Sequence, residues 1–251
     1  MRRRTGGGVR GLPDVVLMGG VLVAHQPAYL PWPGYFSRLA DADELVLLDH
    51  VQFSERGWQN RNYIRGAAGP VRITVPVRRR FGQSIADTRI ADDAWAGRHW
   101  RSLTQTYGRA PYWPEHREAL EAIYQTPWTH LAGLNEALLR LLLDAFGLPV
   151  AMVRTSDRPP AGRQTDMLVG LCRERGATRL RVGTGALGYL DHLLLAEHAI
   201  TVEVATYSHS PYGSAPGWRP GLSALDLLLH EGPNAASVLR AGARTETKVS
   251  A

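Results

Sequence analysis

Two polar clusters near the start of the chain hold the residues best suited to proton-transfer chemistry. His25 directly follows an apolar run at 21–24, and Asp49 directly follows a second run at 45–48. An imidazole moves protons near neutral pH, and a neighbouring carboxylate can orient it and stabilise its charged form. If the two runs are adjacent parallel strands, both side chains lie at one edge of the sheet, where α/β proteins bind ligands. We therefore predict that His25 is a catalytic base and that Asp49 supports it.

Each of these residues also has a purely structural interpretation. His25 could do no more than hydrogen-bond the proline-fixed turn that follows it, and Asp49 could cap the next turn. Cys172, the single cysteine, is a third catalytic candidate because a thiolate is a strong nucleophile for acyl transfer. It lies in the apolar stretch 168–172, however, and buried cysteines usually serve only as inert packing.

Amide side chains dominate the segment that follows the second run. Gln59, Asn60 and Arg61 are consecutive, and amides with a guanidinium suit recognition of sugar hydroxyls, carboxylates or phosphates. The alternative is a polar loop that satisfies its own backbone. Gln26 and Gln52 are candidate donors to a tetrahedral oxyanion. We assign all five residues to substrate binding.

Aromatic and histidine side chains supply the remaining candidate substrate contacts. Tyr29 and Tyr35 lie in and just after the turn that follows His25. His99 and Tyr107 recur on one face of a predicted helix and could close over a pocket, although packing against the sheet is the alternative. His209 lies between two serines at the end of a predicted strand, a placement that resembles that of His25.

A G-x-G-x-x-G string occupies residues 183–188, after a strand and before a helix. This is the context of a dinucleotide-binding fingerprint, but the string comes late in the chain and no acidic residue ends a second strand at the required distance. We interpret it as a tight turn that could contact a phosphate or a pantetheine through backbone amides. No H-E-x-x-H, P-loop or zinc-ligand spacing occurs, so we expect no metal and no redox cofactor.

Composition restricts the class of protein. The 251 residues are 44% hydrophobic, which is enough for a large core, and their net charge is +6. They contain no apolar run of about 20 residues, the length that a membrane helix needs. We expect residues 1–18 to be a flexible basic leader, or Met18 to be the true first residue. The lone cysteine favours a cytoplasmic protein. Arg78, Arg79 and Arg80 form the one internal basic run, which is either a solvated turn or a contact for an acidic partner; we expect no nucleic-acid binding.

Strand and helix patterns alternate along most of the chain, which predicts an α/β fold: a layered, largely parallel, Rossmann-like sheet flanked by helices. Residues 71–77 read as an edge strand. Residues 92–148 read as a block of helices without strands. We therefore predict an α/β core formed by residues 19–91 and 149–251, with 92–148 as a helical insert or cap.

Two sequence blocks carry a family resemblance. The first, HQPAYLPWPGYF, begins at His25, and the second, LLDHVQFSERGWQNRN, ends at Asn62. Together they resemble the WbqC-like family, and further matches extend over nearly everything after residue 20. His50 stands where that family more often has an acid, which weakens any role for a paired carboxylate.

The resemblance implies an accessory enzyme of surface-polysaccharide or specialised-metabolite biosynthesis. We expect an acyl- or aminoacyl-transferring enzyme that forms an amide. Its donor would be a thioester on a phosphopantetheinyl carrier protein, and its acceptor the amine of a sugar or another small metabolite. One alternative is a nucleotidyl- or phosphate-handling enzyme, since the opening also resembles nucleotidyltransferases that place a histidine there. Another is a non-catalytic partner that binds a carrier protein or a glycan.

Overall fold

The computed structural model describes residues 19–214 and 216–248 of the protein; the predicted leader at 1–18 lies outside them. Eight strands are present in this part of the chain: β1 Val21–His25, β2 Glu44–Leu47, β3 Arg61–Ile64, β4 Val71–Thr74, β5 Ala151–Arg154, β6 Arg179–Gly183, β7 Thr201–Tyr207 and β8 Ala243–Lys248. The α-helices are α1 Pro33–Ser37, α2 Ala94–Tyr107, α3 Trp113–Gln125, α4 Leu131–Ala145, α5 Gln164–Arg175, α6 His192–Glu197, α7 Ala224–Glu231 and α8 Ala235–Gly242.

Six strands form one sheet in the order β5-β2-β1-β6-β7-β8, in which β8 alone runs antiparallel to its neighbour. This confirms the predicted α/β fold. The chain builds outward from β1 through β2 to β5, and then returns to the other side of β1 to add β6 and β7. The five parallel strands therefore follow the doubly wound order 3-2-1-4-5, whose direction reverses between β1 and β6. Ligands of such sheets bind outside the carboxyl ends of the strands at that reversal.

Helices cover both faces of the sheet and create two hydrophobic clusters. The larger cluster includes buried side chains of α1, the predicted helical block and α7; the smaller lies under α5 and α6. Leu134, Leu138 and Leu142 of α4 are fully buried, as a core-facing stripe on an amphipathic helix requires. None of the described helices is both long and apolar enough to span a bilayer.

The amide-rich run, for which a polar loop was the alternative interpretation, is partly a strand. β3 begins at Arg61 and pairs antiparallel with β4, in a two-stranded sheet separate from the main one. The strand expected at 71–77 ends at Thr74. Beyond the end of β4, the Asn60 side chain donates from Nδ2 to the Val75 carbonyl oxygen at 2.8 Å. The sequence pattern identified the apolar positions here but did not identify their partner strand.

Candidate functional site

A crevice of about 420 Å³ opens at the carboxyl ends of β1 and β6, where the strand order reverses. Its volume lies in the range of small-molecule sites, about 300–1,000 Å³. The side that follows β1 contributes His25 and Gln26, and the side that follows β6 contributes the turn 183–186. Arg38 and Trp32 also line it. This crevice holds the sequence-predicted base at the location that the topology favours for ligand binding.

His25 presents an unprotonated nitrogen at this crevice. Its Nδ1 atom lies 2.9 Å from the carbonyl oxygen of Gln26, and because a carbonyl can only accept, Nδ1 carries the proton and Nε2 keeps its lone pair. Burial, together with a smaller effect of the nearby Arg38 charge, lowers the pKa of His25 to about 4. The Tyr35 ring packs edge-on against the imidazole, with centroids 4.6 Å apart. His25 is therefore a fixed, neutral imidazole whose free nitrogen can accept a proton.

A second, smaller cavity of about 300 Å³ adjoins the crevice. The two cavities share His25, Gln26 and Trp32 as lining residues. The smaller one adds Trp58, whose ring centroid lies 6.3 Å from that of Trp32 and whose side chain is 44% exposed. Gln59 donates from Nε2 to Gln26 Oε1 at 2.6 Å, which fixes the Gln26 side chain with its amide nitrogen directed away from that bond. The imidazole thus lines both the crevice and the smaller, more aromatic cavity.

Arg38 is the residue of this crevice that the sequence interpretation missed. Its Nε atom is buried without a hydrogen-bond partner, and within 19–214 and 216–248 its side chain makes no ion pair. Burial lowers the pKa of its guanidinium. The available signal was a single charged residue, an arginine, in the otherwise uncharged segment 35–40 at the end of the His25 block.

Asp49 does not support His25, contrary to the prediction. Its carboxylate is fully buried and accepts from Ser156 N at 2.7 Å, Ser156 Oγ at 2.6 Å and Thr155 Oγ1 at 3.1 Å. These bonds connect the loop after β2 to the loop after β5. β1 and β2 are adjacent and parallel, as the prediction assumed, but the hydrogen bonds of the carboxylate go to the loop after β5.

Cys172 belongs to the smaller core cluster and is fully buried. Burial raises the pKa of its thiol to about 12, so the thiolate required for nucleophilic attack is scarcely formed near neutral pH. Its burial therefore favours the packing interpretation of Cys172 over the predicted role as a catalytic nucleophile.

We expect Cys172→Ala to keep full activity and to lower the free energy of unfolding by about 1–2 kcal/mol, through the lost packing of one sulfur atom. In the native wild-type protein, the thiol should not react with a disulfide reagent until urea unfolds the chain. Rapid native-state labelling, or loss of activity in the variant at unchanged stability, would restore Cys172 as a functional residue.

Three predicted aromatic and histidine contacts belong to buried networks. The fully buried Tyr29 hydroxyl lies 2.8 Å from His99 Nδ1 and 2.6 Å from the Tyr124 hydroxyl. The equally buried Tyr107 hydroxyl accepts from the Arg65 backbone amide at 3.1 Å. Neither Tyr29, His99 nor Tyr107 lines the two cavities around His25. These side chains join the helical block to the turn and the hairpin, so their assignment to substrate binding is not supported.

The other predicted contacts divide into two groups. Gln26 and Gln59 line the cavities beside His25, and Tyr35 supports the imidazole from below. Gln52, Asn60, Arg61 and His209 do not line them. Gln52 pairs with Ser84 in an isolated bridge, and Arg61 donates to the Glu55 carbonyl oxygen. His209 packs on the Tyr207 ring near the end of β7, with centroids 4.9 Å apart.

Comparison with known proteins agrees with the resemblance in the two sequence blocks. The chain is 34% identical over 222 residues to an uncharacterized protein of Mycobacterium tuberculosis, Rv1507c, a match that covers 86% of this chain and 95% of that protein. The WbqC-like protein family matches residues 26–238, which include the turn after His25, Arg38 and the turn after β6. The chain therefore belongs to the WbqC-like protein family.

Proposed function

We propose that this protein is an amide-forming acyl or aminoacyl transferase of a cytoplasmic biosynthetic pathway. It would move an acyl group from a thioester to the amine of a sugar or another small metabolite. The observation that carries the proposal is the position of His25 between two adjoining cavities, because a transfer reaction requires two substrates to meet at one proton-accepting group.

In this mechanism the amine nitrogen attacks the thioester carbonyl carbon, and a C–N bond forms as the carbonyl oxygen becomes an oxyanion. His25 Nε2 takes the proton that the nitrogen loses. The pKa of about 4 does not prevent this step, because the nitrogen becomes positively charged when it bonds to the carbonyl carbon and then loses its proton far more readily than the free amine does. The intermediate then collapses, the C–S bond breaks, and the departing thiolate takes the proton from His25.

Gln26 has the geometry to stabilise the oxyanion. Its Oε1 is engaged by Gln59, which leaves its Nε2 to donate into the crevice. A positioned amide donor of this kind contributes roughly 10²–10³-fold to acyl-transfer rates. Gln52, the other predicted oxyanion donor, lines a different cavity, so we do not assign it to the oxyanion.

A basic surface offers a place for a carrier protein to dock. Arg78, Arg79 and Arg80 precede Phe81, which is 101% exposed, and a cavity beneath them includes Ser54. Ser54 also lines the aromatic cavity beside His25, so the two cavities share a wall. Phosphopantetheinyl carrier proteins present acidic surfaces with an apolar patch, to which arginines around an exposed phenylalanine are complementary. The flexible arm of such a carrier could then follow the adjoining cavities to His25.

We expect the double variant Arg78→Glu/Arg80→Glu to raise KM for a carrier-bound donor by about tenfold or more, because it places like charges against the acidic carrier. The same variant should process a short pantetheine thioester at the wild-type rate, since the chemistry at His25 is untouched. Steady-state kinetics with both donors measure the difference. Arg240→Glu, on the exposed side of α8, is the matched control and should affect neither donor. Equal KM values for the carrier-bound donor in all three proteins would remove this surface from the proposal.

The strand order supports one other function. The 3-2-1-4-5 sheet is the arrangement of nucleotide-binding proteins, and an unpaired arginine at its reversal point suits a phosphate. A nucleotidyl-transferring enzyme would bind ATP or a sugar nucleotide in the crevice, which calorimetry detects directly. Binding of either, together with no consumption of thioester, would favour this function over acyl transfer. Product formation that survives loss of His25 would instead favour the non-catalytic binding partner.

A further inference from the structure

We propose that Arg38 and the turn beginning at Gly183 form a subsite for an anionic group, either a phosphate or a carboxylate, that a substrate carries into the His25 crevice. This assignment deepens the proposed function and uses the same crevice. It rests on the pairing of charges in the structure, so it can be tested by binding alone, without any turnover.

Arg38 is partly buried and, among the residues that the structure describes, differs in its pairing from three other arginines that are buried or partly buried. Arg65 pairs with Asp226, and Arg181 pairs with Glu203. Arg175 is held in the same way by Glu44. Burying a cation without a partner costs free energy, so buried arginines are normally held by carboxylates in this way. Arg38 has no such partner among the described residues, and its guanidinium lines an open crevice. A ligand anion is the partner that this arrangement lacks.

Gly183 is required for the position of the guanidinium. A Cβ atom on Gly183 would collide with Arg38 Nη2 and Cζ. The backbone of Gly183 is extended, with φ −91°, so the position does not need glycine for conformational reasons. The position needs a residue without a Cβ atom because the Arg38 guanidinium lies against the backbone at the end of β6. The first glycine of the G-x-G-x-x-G string therefore makes room for a cation, and a nearby Thr184 hydroxyl lines the same crevice.

The arginines of a second cavity, unlike Arg38, are paired with carboxylates. A cavity of about 330 Å³ beside β5 is also rich in arginines, among them Arg140, Arg154 and Arg158. Each of these pairs with a carboxylate of the chain: Arg140 with Glu136, Arg154 with Glu136 and Asp157, and Arg158 with Glu174. That cavity already contains its counter-charges, whereas the His25 crevice contains a cation alone.

Filling the subsite also changes the base. Arg38 is the charged group that acts on His25, whereas Tyr35 beneath the imidazole and Tyr189 across the crevice both have raised pKa values and stay neutral. An anion on Arg38 would offset its charge and move the pKa of His25 upward, toward the ordinary value of about 6.5. His25 would then accept a proton more readily when the substrate is bound than when the crevice is empty.

The test titrates the full-length protein with inorganic phosphate and, separately, with acetate, while NMR follows the His25 ring signals. We expect saturable binding of one or both anions, with the His25 pKa rising as the site fills. Arg38→Gln should weaken that binding by about tenfold or more, as expected for loss of a charge-assisted hydrogen bond. Gly183→Ala should do the same by displacing the guanidinium, and Arg240→Gln should bind like wild type. Circular dichroism of each variant checks that it is folded.

Preference for phosphate over acetate would assign a phosphorylated substrate, and the reverse would assign a carboxylate. Binding that is unchanged in both Arg38→Gln and Gly183→Ala, or the absence of saturable binding of either anion, would overturn the subsite. Acyl transfer can fail while anion binding stands, and anion binding can fail while acyl transfer stands, so the two proposals are judged separately.

Discussion

His25→Asn is expected to lower kcat by about 10²–10⁴-fold, the range that a positioned general base contributes. Asparagine is the informative replacement because its amide nitrogen can take the place of Nδ1 and still donate to the Gln26 carbonyl oxygen. It has no basic nitrogen in the place of Nε2. The substitution therefore keeps the hydrogen bond that fixes the turn and removes only the proton acceptor. Single-turnover kinetics with a thioester donor and an amine acceptor measure the effect.

The matched control is His116→Asn, at a partly buried histidine of α3 that lines neither cavity beside His25. It should keep the wild-type rate, and both variants should unfold at the wild-type urea concentration. If His25→Asn retained more than about a third of the wild-type kcat, a general-base role worth at least about 10²-fold would be excluded. The alternative interpretation, that His25 only bonds the turn, would then remain.

The rate should also depend on pH in one direction. The pKa of His25 in the free protein is lowered to about 4, chiefly by burial, so the imidazole is unprotonated at every pH well above that value. kcat/KM should therefore rise as the pH increases through about 4 and should show no further increase caused by His25 near pH 6.5. If an anionic substrate raises the pKa of bound His25, the corresponding step in kcat lies at a higher pH than the step in kcat/KM.

The sequence predicts the location of His25 well and the identity of its neighbours poorly. An apolar run that ends in a histidine and a proline-fixed turn is local information, and it correctly places His25 at a strand terminus. The structure also pairs β1 and β2 as parallel neighbours, which the sequence interpretation had only assumed. The direction of a side chain across that edge is not local. Asp49 turns toward Thr155 and Ser156, more than a hundred residues away, which no pattern around residue 49 encodes.

The importance of Arg38 likewise depends on residues that are distant in the sequence. Its spacing places it on a short helix after the His25 block, but its significance depends on a missing counter-charge and on a glycine 145 residues later in the chain. The lack of a carboxylate partner for Arg38 is recognised only by comparison with the other arginines, whose carboxylate partners the structure shows. The G-x-G-x-x-G string was interpreted from the sequence as a tight turn that could contact a phosphate or a pantetheine. The reason for its first glycine required the three-dimensional structure.

Asp226→Ala is expected to lower the free energy of unfolding by about 3–5 kcal/mol, the usual cost of removing one partner from a buried ion pair. The Asp226 carboxylate is fully buried on α7. It accepts from Arg65 Nε at 2.9 Å, from Arg65 Nη2 at 2.8 Å and from the Tyr212 hydroxyl at 2.8 Å. Without it, Arg65 is a buried cation that has lost its bidentate partner, and Tyr212 is a buried hydroxyl that has lost its acceptor. Urea denaturation followed by tryptophan fluorescence measures the change.

Two further variants separate the cost of a stranded charge from the worth of the pair. Glu121→Ala removes one member of an exposed i,i+4 pair with Arg117, and it should cost no more than about 1 kcal/mol. The double variant Arg65→Met/Asp226→Leu removes both buried charges, and it should recover much of the stability lost in Asp226→Ala, because apolar side chains of similar volume can replace a buried pair. An Asp226→Ala protein no less stable than Glu121→Ala would show that Arg65 finds another partner.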